Sequence, residues 1–254
     1  MSSASPTPCD LTIVIACFNE APHLAESVAE IDAVMARTNT SYELLFIDDC
    51  SLDGTRDVIK RLVADQVSGL PRSFVFHEKN VGRGGTVREG ILMSRSAIAG
   101  FLDIDLEVRA EHIPRMLQAL EAGADVATAK RHSSFGWSWK SLHRYILSRG
   151  YLAVFRLLLR TPLKDTETGY KFFRREAILP VLQETETKGW FWDTEVMVLA
   201  WLHGLDIQEL PCPFTRRAEK KSTVKVLSVV REYLTSILSF RKRIQGRTRK
   251  PNSV

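Results

Sequence analysis

The sequence has few cysteines and none of the spacings that cysteine chemistry requires. Only four occur in 254 residues, without a C-x-x-C pair or histidines at zinc-finger spacing. A structural zinc site and a disulfide framework are therefore not expected. A chain of this length buries about three quarters of its unfolded surface, so its core needs no covalent cross-links. We expect reduced thiols and an intracellular protein.

Long apolar runs and targeting signals are also lacking. No run reaches the roughly 18 uncharged apolar residues that a transmembrane helix needs. Residues 1–10 contain neither the basic nor the apolar region of a secretory signal. With 44% hydrophobic and 26% charged residues, the composition is that of an ordinary globular protein. The sequence therefore predicts a cytoplasmic protein without a membrane span.

Acidic residues are missing near the end of the chain. Residues 241–250 include six Lys or Arg and no Asp or Glu, and they account for the net charge of +5. Such a segment favours a polyanionic partner, either anionic lipid or nucleic acid, and a solvated terminus is the alternative. Since no helix-turn-helix, zinc finger or aromatic RNA-binding signature accompanies it, nucleic acid is not the expected partner.

What the sequence does contain is an alternation of short β-rich runs with amphipathic stretches. This order predicts an α/β fold, with a mostly parallel sheet and helices on both faces. Residues 11–215 are expected to form one domain, with an N-terminal tail at 1–10 and an extension at 216–254. Strands are predicted at 11–16, 43–47, 74–77, 98–102, 125–129 and 207–210, and helices at 22–37, 55–67, 85–94, 113–122 and 196–203.

Polar clusters follow four of the apolar runs, where parallel strands would place ligands. Asp103 and Asp105 alternate with Ile104 after a strand, so both carboxylates are expected to point the same way. Such oxygen ligands suit Mg²⁺ or Mn²⁺ bridged to a diphosphate, and Glu107 continues the alternation as a candidate third ligand. The other clusters are Asn19 with Glu20, Asp48 with Asp49, and Asn80–Gly85.

The Asp48–Asp49 cluster and the glycine-rich cluster at 80–85 suit a nucleotide. Carboxylates at Asp48 and Asp49 can accept hydrogen bonds from a base or a ribose, while Asp53 or Thr55 can cap the following helix. The glycine-rich loop at 80–85 opens a helix whose N–H groups suit a diphosphate. It is neither G-x-G-x-x-G, since Val87 stands at the third glycine, nor a Walker A loop, which disfavours a dehydrogenase and a P-loop kinase.

Together these motifs resemble the family-2 inverting glycosyltransferases of the GT-A (nucleotide-diphospho-sugar transferase) fold, which implies a Rossmann-like sheet. The later motifs are similar to the branch of dolichyl-phosphate mannose synthases and glucosyltransferases. The chain departs from the family pattern at Ala16, where proline is usual, and at 220–223, where K-K-S-T replaces G-x-S-K. The resemblance is carried by Ile15–Glu20, Asp48–Thr55, Asn80–Gly85, Asp103–Leu106, Asp165–Arg175, Gly189–Glu195 and Glu209–Phe214.

The resemblance implies roles for individual residues. Asp103 would face the ribose and the metal, with Asp105 and Glu107 as further metal ligands. Arg131 and Arg144 would position a lipid phosphate. The nucleoside would contact Asn19, Glu20 and Asp49, and Arg217 would contact the diphosphate. Asp48, Gly82 and Gly84 are further nucleotide-binding candidates from their position after the strands.

The implied activity is inverting transfer of a hexose from GDP-mannose or UDP-glucose to a polyprenyl or dolichyl phosphate. A phosphate acceptor needs orientation by arginines rather than a base, and arginine is abundant between 131 and 160. A hydroxyl acceptor would need a general base, for which Asp165 is the candidate. A non-catalytic nucleotide-sugar-binding protein is a further alternative, although it would not need the acidic pair.

Two apolar features have an alternative explanation in ordinary packing. Residues 224–240 carry an apolar stripe at helical spacing before the basic segment, which favours a peripheral helix on the cytoplasmic face of a membrane. Packing on the domain itself is the alternative. Trp190, Phe191 and Trp192 are expected to pack beneath the site rather than on sugar, with Asp193 or Glu195 lining it. The stripe consists of Leu227, Val230, Leu234, Ile237 and Leu238.

Overall fold

A computed structural model of the chain describes residues 9–65, 70–132, 158–214 and 226–251. Its strands are β1 (Leu11–Cys17), β2 (Tyr42–Asp48), β3 (Arg72–Phe76), β4 (Ile98–Leu102), β5 (Val126–His132), β6 (Tyr170–Arg174) and β7 (Ile207–Pro213). Its helices are α1 (Leu24–Met35), α2 (Thr55–Ala64), α3 (Arg83–Met93), α4 (Ile113–Glu121), α5 (Arg175–Glu184), α6 (Trp192–Leu202) and α7 (Val226–Ile244).

The strands form one sheet in the order β3-β2-β1-β4-β6-β5-β7. Only β6 runs antiparallel to its neighbours β4 and β5 among the described strands. Parallel pairing of β1 with β2 and β4, and of β2 with β3, places the carboxyl ends of these strands at one edge. The predicted α/β class and mostly parallel sheet are therefore confirmed.

Helices cover both faces of the sheet. On one face α1, α2 and α4 bury their apolar side chains in a single core cluster. On the other face α3, α5, α6 and α7 contribute to a second cluster. Burial on both faces explains why β1 and β2 are almost continuously apolar.

Helix α7 packs on the second cluster, which was the alternative explanation of its apolar stripe. Ile237 and Phe240 are buried, and Phe240 meets the ring of Phe191 edge-on at 5.7 Å. Arg243 forms ion pairs with Glu186 and Glu195. The described end of the predicted extension therefore belongs to the same core as the sheet. The predicted stripe residues Leu227, Val230 and Leu234 lie outside the described side chains.

Candidate nucleotide-sugar site

The predicted polar clusters meet at the carboxyl edge of the sheet. Asn19, which has a left-handed backbone with φ of 58°, accepts a hydrogen bond from the Leu52 amide at 2.9 Å, and its own amide donates to Ser51 Oγ. Glu20 is half-buried, and its amide donates to Thr55 Oγ1 at 2.9 Å. The loop after β1 is thus bound to the loop after β2, as the parallel pairing of the two strands requires.

The carboxylates of Asp48 and Asp49 hold the ends of neighbouring loops. Asp49 accepts hydrogen bonds from the amides of Val81 at 2.7 Å and Gly82 at 2.9 Å, and its Oδ1 lies 2.9 Å from His77 Nδ1. Asp48 is fully buried and accepts from Arg56 Nε at 2.7 Å. Both residues therefore hold the neighbouring loops at this edge of the sheet, a role that their adjacency in sequence did not indicate. Direct contact of either one with a nucleoside stays a prediction.

Gly54 is the N-cap of the helix that follows these carboxylates and makes no side-chain capping bond, so the predicted cap at Asp53 or Thr55 is wrong. Asp53 Oδ1 nevertheless accepts a hydrogen bond from the Thr55 amide at 2.9 Å, at the first residue of α2. This contact satisfies one of the N–H groups that a helix start leaves without an intrahelical partner.

The glycine-rich loop packs against residues 188–192 with very little space. A Cβ on Gly82 would lie 2.5 Å from the Lys188 carbonyl oxygen, and one on Gly84 would lie 2.2 Å from Trp192 Cβ. The Gly85 amide donates to the same Lys188 oxygen at 3.0 Å. This packing accounts for glycine at 82 and 84. Binding of a diphosphate by the loop stays a prediction.

Arg83 is the centre of a charge network that joins four elements of the fold. Its Nε and Nη2 donate to Asp103 Oδ1 at 2.9 and 2.6 Å, and its Nη1 donates to Asp193. Lys171 Nζ lies 3.0 Å from the other oxygen of Asp193 and also donates to the Thr168 carbonyl. Lys171 and Asp193 are both buried. The network links the start of α3, the end of β4, β6 and α6.

Burial and charge set the protonation of this network. Burial lowers the pKa of Arg83, but Asp103 and Asp193 outweigh that effect and hold it above its ordinary value. The pKa of Asp103 is raised, mainly by burial, against the opposing charge of Arg83 and with smaller contributions from the negative charges of Asp193 and Asp105. Burial lowers the pKa of Lys171, with Asp193 opposing the shift.

The predicted alternation after β4 is present. Asp103, Asp105 and Glu107 are half-buried, whereas Ile104 and Leu106 between them are buried. In the part of the chain that the structure describes, no three Asp, Glu, His or Cys side chains are grouped so as to hold a metal ion. The trio is therefore not assembled as a closed metal site. Mg²⁺ in nucleotide sites binds through one or two carboxylates plus substrate phosphates, a requirement that Asp103 and Asp105 fit.

Asp165, the candidate general base, forms an ion pair that leaves it poorly suited to that role. Its Oδ2 accepts from Arg131 Nε at 2.8 Å and from the Arg131 amide at 2.9 Å, and its Oδ1 accepts from Arg131 Nη2 at 2.9 Å. Burial raises the pKa of Asp165, but the Arg131 contacts lower it by more, so the pKa lies below its ordinary value. A carboxylate with a lowered pKa is a weaker base, which disfavours Asp165 in that role, and the hydroxyl-acceptor alternative stays a prediction.

Two of the predicted arginines cannot be placed. Arg144 and Arg217 lie outside the described residues, at 133–157 and 215–225. Arg131 lies at the end of β5 with about a third of its side chain exposed, and its guanidinium also contacts Glu167 at 3.3 Å. Its predicted contact with a lipid phosphate stays a prediction.

The aromatic segment 190–192 divides between core and surface. Phe191 and Trp192 are buried, and Trp192 packs against Phe101. Trp190 is exposed, and the Arg83 guanidinium lies over its ring at 5.1 Å from the centroid. The expectation of packing therefore holds for two of the three rings.

The two acidic positions of the same segment have different environments. Asp193 belongs to the Arg83 network. Glu195 is buried and accepts hydrogen bonds from the amides of Glu186 at 3.0 Å and Thr187 at 2.8 Å. Asp193 is thus the acid near the site, while Glu195 anchors the segment before it. Local sequence carries no signal to separate them, because the partner that places Asp193 in the network, Arg83, lies 110 residues away.

Comparison with known proteins places the chain in a family. It is 26% identical over 224 residues to "Glycosyltransferase AglD" of Haloferax volcanii, covering 87% of this chain and 35% of AglD. It is 25% identical over 218 residues to the "Dolichyl-phosphate beta-glucosyltransferase" of Saccharomyces cerevisiae, covering 79% and 65%. It is 27% identical over 214 residues to the "Polyprenol monophosphomannose synthase" of Mycolicibacterium smegmatis, covering 81% and 77%. The chain therefore spans about a third of AglD and just under two thirds of the yeast enzyme.

Solved structures share the fold. Glucosyl-3-phosphoglycerate synthase from Mycobacterium tuberculosis, in complex with Mn²⁺, UDP and glucosyl-3-phosphoglycerate, superposes with a TM-score of 0.66 at 19% identity, covering 92% of this chain and 80% of that one. The mannosyltransferase PcManGT from Pyrobaculum calidifontis, in complex with GDP-Man and Mn²⁺, gives 0.64 at 16% identity, covering 94% and 65%. These likenesses confirm the GT-A fold. The profile described as "Glycosyl transferase family 2" matches residues 12–180, more than half of the sequence, and the chain belongs to that family.

Proposed function

We propose that this chain transfers a hexose from a nucleotide-diphosphate sugar, GDP-mannose or UDP-glucose, to a polyprenyl or dolichyl phosphate with inversion at the anomeric carbon. The observation that carries the proposal is the placement of Asp103 at the carboxyl edge of the sheet, bonded to Arg83 and close to the charge of Asp105. The relatives named for dolichyl phosphate and for polyprenol support the lipid-phosphate acceptor.

The donor would lie along the edge from β2 to β4. The nucleoside would contact Asn19 and Glu20 near the loops that Asp48 and Asp49 hold in place. The diphosphate would lie at the Gly82–Gly84 loop, with Arg217 as a further contact. Because Arg83 is fixed by two carboxylates before the donor arrives, its charge would need no rearrangement to face the leaving group.

Asp103 and Asp105 would hold Mg²⁺ or Mn²⁺, with Glu107 as a third oxygen ligand. A bound divalent ion supplies electrostatic stabilisation of the departing diphosphate. Asp103 already shares one oxygen with Arg83, which orients its carboxylate toward this edge of the sheet. Two protein carboxylates would thus complement the phosphate oxygens that the donor itself provides.

A lipid phosphate is the acceptor that the site favours. A phosphate monoester is ionised at neutral pH, so it needs orientation rather than deprotonation. The Arg131–Asp165 pair agrees with this requirement, because it fixes an arginine and leaves Asp165 a weak base. Arg131 and Arg144 would position the phosphate for attack on the face opposite the leaving group.

The membrane would be met through the outer surface of α7, on the cytoplasmic side. Leu238 is exposed there, and Arg241 and Lys242, three and four residues further on, are also exposed. An apolar side chain beside cations suits an interface with anionic headgroups. No described helix combines the length and apolar character needed to cross a bilayer.

The proposal is tested by transfer from radiolabelled UDP-glucose and GDP-mannose to polyprenyl phosphate in detergent, with Mn²⁺. We expect label in the lipid fraction with one donor, and its loss in Asp105→Ala. Asp57→Ala, which removes a well-exposed carboxylate on α2, is the matched control and should retain activity. Binding and slow hydrolysis of a donor without labelled lipid would overturn the phosphate acceptor. The absence of donor binding would overturn the proposed function as a whole.

A further inference from the structure

Trp190 is an exposed aromatic side chain at the rim of the site. It is 57% exposed, whereas its two aromatic neighbours are buried. The core therefore does not account for this indole, and its surroundings point to a different use.

Arg83 contacts the ring, and hydrogen bonds hold the backbone segment that carries it. Arg83 lies over one side of it and is itself bound to Asp103 and Asp193. The backbone on either side is held as well, since the Lys188 carbonyl accepts from Gly85 and the Trp192 amide donates to Gly189 at 3.3 Å. An aromatic surface held in place in this way costs little conformational entropy when a ligand packs on it.

The order of groups along the sheet edge identifies the ligand part that would meet the ring. The predicted nucleoside contacts follow β1 and β2, Asp103 follows β4, and Asp193 binds Lys171 of β6. Trp190 contacts the network at this β4–β6 side. A donor whose nucleoside lies at β1 and β2 and whose diphosphate lies at Arg83 presents its hexose here.

We infer that Trp190 is a specificity-determining residue whose indole packs against the hexose of the donor. The inference rests on the proposed function and deepens it. A pyranose has an apolar C–H face that suits the large flat surface of an indole, while polar groups elsewhere in the site fix the orientation of the ligand. Trp190 thereby distinguishes a nucleotide sugar from the free nucleotide that remains after transfer.

The test is calorimetric titration of the full chain, with Mn²⁺ and without acceptor. The probes are UDP-glucose, GDP-mannose, UDP and GDP, and the variants are Trp190→Ala and Trp190→Phe. Phe74→Ala is the matched control, because Phe74 is a partly exposed aromatic residue on the edge strand β3. Thermal unfolding of each variant shows whether it is folded.

We expect Trp190→Ala to weaken binding of the nucleotide sugar about tenfold, the size of a lost aromatic contact. Binding of the matching free nucleotide should change less than about twofold on the same scale. Trp190→Phe should retain most of the affinity for the sugar, and Phe74→Ala should match the unchanged chain.

Two results would overturn the inference while leaving the proposed function intact. An equal loss for sugar and free nucleotide would mean that the ring acts through Arg83 on the nucleotide. Unchanged binding of both would mean that the ring has no role in donor recognition. If the unsubstituted chain binds none of the four probes, the proposed function fails and this inference fails with it.

Discussion

At the scale of single residues, Lys171 is a charged side chain that needs a partner because it is buried in the core. Its ammonium is fully buried in β6, where it meets Asp193 at 3.0 Å. A buried ion pair adds little net stability over apolar side chains of similar volume, because both charges lose their hydration. We therefore infer that the pair serves to position Asp193, which in turn holds Arg83 beside Asp103.

Removing one member of this pair should be costly, while removing both should not. Lys171→Met leaves the buried Asp193 with Arg83 alone, and we expect the free energy of unfolding to fall by roughly 3–5 kcal/mol. The double variant Lys171→Met, Asp193→Leu should recover most of that loss and still bind the donor poorly, because Arg83 loses its second anchor. Urea denaturation and donor titration measure the two effects. A double variant that binds donor normally would show that the pair has no positioning role.

The ion pair of Asp165 predicts how the free energy of unfolding depends on pH. Its pKa is lower in the folded chain than in the unfolded chain, so on acidification the unfolded chain takes up the proton first. The stability that the Arg131 pair contributes is thus complete above about pH 5 and declines below about pH 4. Asp165→Asn should lower the free energy of unfolding by roughly 2–3 kcal/mol at pH 7. The difference between the two proteins should shrink at pH 3.

The same variant separates a structural role from a catalytic one. If Asp165 only fixes Arg131, the pH profile of transfer should keep its shape in Asp165→Asn, even where the rate is lower. Loss of the acidic limb of that profile in Asp165→Asn would instead identify Asp165 as a general base.

At the scale of elements, the regular part of the fold could be predicted and β6 could not. The buried parallel strands are apolar runs bounded by polar residues, and the predicted bounds of β1 and β4 differ from those observed by one residue at most. Strand β6 contains the charged Lys171, so its sequence does not read as a buried apolar strand. The helix after it, α5, contains Pro180, a residue that usually interrupts helices. Each departs from its sequence pattern because of tertiary contacts that local rules do not include.

The start of α3 illustrates how packing selects glycine. A Cβ on Gly84 would meet Trp192 at 2.2 Å and a backbone oxygen at 2.7 Å, whereas the nearest contact for one on Gly85 is 3.5 Å. Gly84→Ala should therefore destabilise the protein by about 1–3 kcal/mol through overpacking. Gly85→Ala should leave stability unchanged or raise it by up to about 1 kcal/mol through helix propensity.

Chemical denaturation of the two glycine variants side by side checks this. Equal and small effects would mean that the 188–192 segment moves aside easily, in which case glycine at 84 would be explained by ligand contact rather than by packing.

At the scale of the whole molecule, the site could be located from sequence but not assembled. Its edge was predictable because parallel strands end together, and the polar clusters at Asn19, Asp49 and Asp103 marked those ends. The Arg83 network could not be predicted from the sequence, since Arg83 and Asp193 are 110 residues apart. Only the packing of α6 against the start of α3 brings them together, and neither segment carries a signal for the other.

Helix α7 has a buried surface and an exposed one, and substitutions can test the packing of the first and the proposed membrane contact of the second. Ile237 is 2% exposed in the core, while its neighbour Leu238 is 52% exposed. Ile237→Ala should lower the free energy of unfolding by roughly 2–5 kcal/mol, whereas Leu238→Ala should stay within about 0.5 kcal/mol of the unchanged protein.

In binding to membranes, substitutions on the exposed surface of α7 should have the larger effect. Leu238→Ala combined with Arg241→Gln and Lys242→Gln should weaken binding to vesicles of phosphatidylcholine with phosphatidylserine by about thirtyfold, since each of the two basic residues contributes roughly 1 kcal/mol near the surface. Vesicles of phosphatidylcholine alone should show little difference, because the headgroup charge is then absent. Co-sedimentation measures both. If the triple variant binds charged vesicles as well as the unchanged chain, the outer surface of α7 does not face the lipid, and the acceptor must reach the site from another side of the molecule.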